Sequence, residues 1–113
     1  MLIFDMDLSS YSIAPEIREA LYLGKPILAM ESTILAHGMP YPQNVEFALD
    51  AQRLVRQAGA LPAIIAILNG KICVGLNETQ LSRITGGKDV QKTSVRDIPF
   101  VLASGASGAT TVS

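Results

Sequence analysis

Leu61–Leu68 is an almost unbroken apolar run that holds two adjacent isoleucines and no charge. A short run of that composition reads as a strand covered on both faces, the middle of a sheet. Asn69-Gly70 follows it, and Lys71–Leu76 resumes the apolar character. Asn-Gly between two such runs predicts a hairpin, because both residues accept the positive φ of a tight two-residue turn. The chain is therefore built on a sheet, and the other segments must extend or cover it.

Those segments alternate between strand and helix patterns. Leu2–Phe4 is a short apolar run ending in Asp5-Met6-Asp7, and Ser9, Ser10 and Ser12 read as a loop. Pro15–Leu23 predicts a helix: proline suits its first position, Gly24 its stop, and Ile17, Ala20 and Leu21 form one apolar stripe. Pro26–Met30 reads as a buried strand ending at Glu31. A long helix is predicted over about Pro42–Ala58, with Phe47, Ala48, Ala51, Leu54, Val55 and Ala58 at helical spacing. Pro42 and Asn44 both qualify as its start. Asn77 opens a short helix to about Thr85, with Gln80 at the capping-box position. Asp89–Arg96 fits neither pattern, and Ile98–Ala103 reads as a further strand. Ser104–Ser113 reads as a glycine-rich turn, with Ala109–Val112 opening a helix, as in a domain cut off mid-unit. The expected fold is α/β: a largely parallel sheet flanked by helices (α/β/α), truncated. Ligands of such sheets gather at the C-terminal ends of the strands.

Composition narrows the function. With 49% hydrophobic and 17% charged residues, the chain is more apolar than a small free-standing domain needs, which points to further buried interfaces. The net charge of -1, without a basic block, speaks against nucleic acid as a partner. The single cysteine, Cys73, excludes an internal disulfide and fits a reducing compartment. No apolar run reaches the roughly 18 residues of a membrane span, and no secretory signal is visible. The expected location is the cytoplasm, with no membrane partner.

Chemistry-bearing residues concentrate in Met30–Pro42, MESTILAHGMPYP. Glu31 follows an apolar strand and precedes two hydroxyls; burial there would raise its pKa and suit a general acid, while a plain loop or capping carboxylate is the other reading. His37 is a base, a ligand or a loop-positioning group, and Gly38 a residue for a conformation others avoid. Lys92 and Arg96 in QKTSVRD would welcome a phosphate, or form a solvated surface turn. Ser104–Thr111 could cradle an anion through backbone N–H groups. Cys73 reads as a buried, inert thiol. Asp5 and Asp7 form a DxD after a short strand, the arrangement of a phosphatase nucleophile and acid, or simply a solvated turn.

Taken together, MESTILAHGMPYPQN, GALPAIIAILNGKICVGL and QKTSVRDIPFVLASGASGATTVS resemble the N-terminal part of the pseudouridine-5'-phosphate glycosidase family. The resemblance runs over residues 13–113 and leaves 1–12 as a variable N-terminal segment. It implies hydrolysis of the C–C glycosidic bond of pseudouridine 5'-phosphate to uracil and ribose 5-phosphate. It also implies a homotrimer, a manganese ion, and a lysine that forms an imine with the opened ribose. Glu31 stands at the family's proton donor, Lys92 at a substrate-binding lysine near the phosphate, and Val112 at a further substrate contact. The imine-forming lysine and the metal-binding aspartate belong beyond the TTVS segment, so no metal ligand is expected here and the 113-residue chain is expected to be inactive alone. The alternative is a non-enzymatic interaction module that pairs with full-length subunits.

Overall fold

The structure, a computed structural model, describes residues 11–111. Leu2–Phe4, Asp5, Asp7, Ser9, Ser10 and Val112 lie outside the described residues.

The elements run β1 (Tyr11–Ile13), α1 (Pro15–Leu23), β2 (Ile27–Met30), a π-helical turn (Ile34–Gly38), α2 (Gln43–Gln57), β3 (Leu61–Leu68) and β4 (Lys71–Val74). Then follow α3 (Glu78–Gly86), β5 (Val90–Thr93), a 3-10 turn (Val95–Asp97), α4 (Ile98–Ala103) and β6 (Ser107–Thr110). Among the described residues the strands form one mixed sheet in the order β1-β4-β3-β6-β5, with β2 also paired to β3. The β3–β4 hairpin and the β3–β6 pair are antiparallel; β1–β4, β2–β3 and β5–β6 are parallel.

β3 is central, as its composition requires. Ala63, Ile64, Ala66 and Ile67 are buried, and the two isoleucines each contribute about 1.5–3 kcal/mol through burial. One core gathers Ile64, Ala66 and Ala109 of the sheet with Leu35 of the π-helical turn, Ala48 of α2, and Leu81 and Ile84 of α3. Asn69 and Gly70 hold the positive φ values expected of the hairpin turn.

Local signals account for the helices that match. α1 begins with Pro15 and stops at Gly24, which is left-handed with φ 71°. Its first turn is tied to α2 by the Glu16–Arg56 pair, whose second bond, from Arg56 Nη2 to Glu16 Oε2, is 3.0 Å. The Arg56 guanidinium holds the Glu16 carboxyl below the usual range. The pair is half exposed, so it contributes little to stability. α3 carries a full capping box: Asn77 Oδ1 accepts the Gln80 N–H at 2.8 Å, and Gln80 Oε1 accepts the Asn77 N–H at 2.9 Å. Asn77→Ala is expected to lower stability by about 1 kcal/mol, read as a shifted urea midpoint at unchanged slope.

Other expectations are corrected. Ser12 lies in strand β1, not in a loop. Leu21 is exposed rather than part of the α1 stripe, whose buried members are Ile17 and Ala20. β2 is not a buried strand: Leu28 and Ala29 are exposed, because β2 lies at a margin of the sheet. Ile98–Ala103 is a helix with proline in its first turn. The helix expected to open at Ala109 is instead the strand β6.

Candidate functional site

β3 carries two strands on one edge. β2 runs parallel along residues 61–64 and its pairing ends at Met30–Ile64. β6 runs antiparallel along residues 66–67 and its pairing ends at Ala109–Ala66. Their C-terminal ends therefore meet head to head at the level of Ile65. β5 is parallel to β6, and its Thr93 lies beside Thr110. The ends of three strands converge at one place, where Glu31 follows β2 and Thr111 follows β6.

Hydroxyl groups close the junction. Ser32 Oγ donates to the Ile65 carbonyl at 2.7 Å and accepts the Thr110 N–H at 2.9 Å. Thr110 Oγ1 donates to the same carbonyl at 2.7 Å, and the Ser32 N–H donates to the Thr110 carbonyl at 3.0 Å. Thr33 Oγ1 lies within reach of the Ala109 and Thr110 carbonyls, at 3.1 and 2.9 Å. Ser32 has no exposed surface. The two hydroxyls after Glu31 thus serve the backbone rather than a ligand.

Glu31 itself is exposed, so the dry surroundings expected for its carboxyl are not provided by these residues. Lys92 is exposed on β5. Its register runs through Ala109 to Ala66, which puts it on the same sheet face as Ile64 and Met30, the face covered by α2 and α3. Glu31 and Lys92 therefore belong to strand ends that meet at the β2–β6 junction. Val112 is the second residue past β6 and lies outside the described residues. Four clefts of about 400 to 500 Å³ open elsewhere, and Glu31 and Lys92 line none of these four.

The neighbouring loop is organised by a residue that sequence reasoning treated only as a helix start. Asn44 is buried in the first turn of α2. Its Nδ2 donates to the Leu35 and Thr85 carbonyls, both at 2.8 Å, and so ties the π-helical turn and α3 to α2. The loop-positioning part expected of His37 is met by Asn44, while His37 is exposed. Gly38 is needed for space rather than for an unusual φ: a Cβ there would lie 2.9 Å from Ile34 Cγ1. The available signal for Asn44 was a polar amide on the apolar side of an amphipathic helix.

The remaining candidates separate. Arg96 is 88% exposed and stands 3.8 Å from Asp97, in keeping with a solvated pair. Asp97 accepts the Ser94 N–H and hydroxyl, and the backbone N–H above all holds its carboxyl below the usual range. In the Ser104–Thr111 segment the Thr110 and Thr111 N–H groups are taken by Ser32 Oγ and the Thr93 carbonyl, so they form no anion cradle. Cys73 is buried and its thiol is pushed up by desolvation. Among the described residues no three His, Cys, Asp or Glu side chains are grouped to hold a metal ion. The manganese implied by the resemblance therefore finds no donor set there. No helix of the described residues is long and apolar enough to cross a membrane.

Comparisons with known proteins show the family and the fold. The profile of the family described as indigoidine synthase A like protein matches residues 16–113. A pseudouridine-5'-phosphate glycosidase of Arabidopsis thaliana is 53% identical over 106 residues, which is 93% of this chain and 32% of the relative. One of Clostridium botulinum is 54% identical over 101 residues, 88% of this chain and 33% of the relative. Among solved structures, the prealnumycin C-glycosynthase AlnA in complex with ribulose 5-phosphate superposes with a TM-score of 0.79 at 38% identity, covering 90% of this chain and 32% of that one. An indigoidine synthase A-like protein of Thermotoga maritima gives 0.78 at 35% identity, with coverages of 91% and 33%. The chain spans about a third of the length of the curated relatives it matches. With the profile matching nearly all of it, the chain belongs to the indigoidine synthase A-like family, the family of pseudouridine-5'-phosphate glycosidases that its Met30–Pro42 stretch resembles.

Proposed function

We propose that this chain forms the Glu31-bearing part of a pseudouridine-5'-phosphate glycosidase, which splits its substrate into uracil and ribose 5-phosphate. The observation that carries this reading is the 53% identity over 106 residues to a relative bearing that name. Glu31 is the proton donor, Lys92 holds the phosphate and Val112 contacts the substrate. The family's homotrimer, manganese ion and cytoplasmic setting belong to the same reading.

The chemistry asks for these parts. A C–C glycosidic bond has no heteroatom leaving group at the base, so opening the sugar as an imine must supply the electron sink. The imine-forming lysine belongs to the part of the relatives beyond the matched third. What falls to these residues is a proton delivered by a carboxyl at a strand end, and a cation for the phosphate. The phosphate is a handle whose binding energy orients the reacting end. A carboxyl holds its proton near neutral pH when water is excluded from it. The exposed Glu31 would gain that cover from the rest of the domain.

The test joins this chain to the rest of the Arabidopsis thaliana relative in place of its matching third. This chimera is expected to consume pseudouridine 5'-phosphate, and the 113-residue chain alone is expected not to. Glu31→Gln in the chimera should lower kcat by about 100-fold or more. Lys92→Met should raise KM for the phosphorylated substrate by about 10- to 100-fold, the loss of one charged hydrogen bond. A folded chimera without turnover, or one indifferent to Glu31→Gln, overturns the reading.

Exposed apolar side chains favour a second reading, the interaction module. Leu28 on β2 is 50% exposed and Tyr22 on α1 is 89% exposed. Co-purification with complete subunits, without turnover, would select it.

A further inference from the structure

We propose that Ser32 is a positioning residue: its hydroxyl clamps the ends of β2 and β6 together and so sets Glu31 at the end of β6. This rests on the reading of Glu31 as proton donor.

The need for a clamp follows from the sheet. Two strands reach one edge of β3 from opposite directions, and neither pairing extends to Ile65. Without Ser32 the Thr110 N–H would lack a partner, and the Ile65 carbonyl would keep only the Thr110 hydroxyl, a bond from β6 that does not hold β2. One hydroxyl offers a donor and two acceptor sites. Ser32 uses the donor on the Ile65 carbonyl and an acceptor site on the Thr110 N–H. The Ser32 N–H closes the ring onto the Thr110 carbonyl. Residues 78 apart in sequence are thereby joined, and Thr33 Oγ1, within reach of the Ala109 and Thr110 carbonyls, adds a second side chain to the joint.

The same arrangement excludes a chemical part for Ser32. Its proton is committed to a carbonyl and the residue has no exposed surface, so it cannot reach a substrate as a nucleophile. Its effect passes through Glu31, the residue directly before it. The Glu31 backbone lies between the last paired residue of β2 and the clamp, so removing the Ser32 hydroxyl loosens the backbone that carries the carboxyl. A misplacement of about 1 Å at a reacting group costs on the order of 100-fold in rate.

The experiment uses the chimera described above. Ser32→Ala is expected to lower kcat by about 100-fold with KM within about threefold, and to move the limb of the kcat–pH profile that reports the acid. Asn77→Ala, a helix-cap change remote from the junction, is expected to leave both unchanged. Ser32→Cys keeps a weak donor at longer reach and should fall between Ser32→Ala and the parent, which serves if Ser32→Ala does not fold. An active parent whose Ser32→Ala form, or Ser32→Cys form if only that folds, keeps its kcat and pH profile overturns the positioning role alone. A folded parent without turnover overturns the glycosidase reading and this role with it.

Discussion

Replacing Asn44 by Asp is expected to remove a large part of the stability of this chain. The Asn44 amide is buried and donates to two carbonyls, Leu35 and Thr85, at 2.8 Å each. An ionised aspartate has no proton to donate, so both carbonyls lose their partner and face a buried negative charge. The expected cost at pH 7 is about 3–5 kcal/mol, against a total of about 5–15 kcal/mol for a typical domain. The sign of the pH dependence follows from the same contact. Burial among carbonyls raises the folded-state pKa of the new carboxyl, so the folded state binds more protons than the unfolded one. The variant should therefore be more stable near pH 4 than at pH 7, and lose stability as pH rises above the unfolded value of about 3.9. Urea unfolding at the two pH values, each against the parent, checks this. A deficit below about 1 kcal/mol at pH 7, or one that does not shrink in acid, would show that the amide does not hold the turn and α3 to α2.

Asn44 also shows where the sequence was legible and where it was not. Elements closed by their own residues could be read: α1 between Pro15 and Gly24, the hairpin at Asn69-Gly70, and α3 from the Asn77–Gln80 box. These signals act within a few residues and need no partner. Ile98–Ala103 misled because a six-residue apolar run has no readable period; Pro99, at home in a first helical turn, was the better guide. Ser107–Thr110 misled in the other sense. Serine, glycine and alanine are poor strand formers, but β6 lies between β3 and β5, where side-chain space is small and pairing decides.

The candidate site was legible as a motif, not as geometry. Glu31, Ser32 and Thr33 are adjacent in sequence, so their concentration was visible. That the two hydroxyls are spent on Ile65, Ala109 and Thr110 depends on β6 reaching the same edge of β3, which no local pattern announces. The exposure of Glu31 follows from the place of β2 at the sheet margin, equally a tertiary fact.

Gly108 makes the second large effect, through a contact rather than a torsion. A Cβ at this position of β6 would lie 2.1 Å from Thr93 Oγ1, 3.1 Å from Thr93 Cβ and 3.4 Å from Val101 Cγ1. Thr93 is buried and belongs to β5, the strand that carries Lys92. Gly108→Ala must therefore rotate Thr93 or part β5 from β6, and overpacking of this kind costs about 1–3 kcal/mol; Gly108→Val should cost more. Thr93→Ala removes the hydroxyl that bonds the Gln91 carbonyl together with a buried methyl group, and should cost about 1–3 kcal/mol. In the double variant the 2.1 Å clash is gone and the 3.1 Å approach remains, a distance a small shift can absorb. The two changes are then expected to be less than additive, with a favourable coupling of about 1–2 kcal/mol in a urea-unfolding cycle. Strict additivity would mean that β6 does not lie against Thr93 at Gly108. Lys92 would then lose the register that places it beside Ala109, near the C-terminal end of β6.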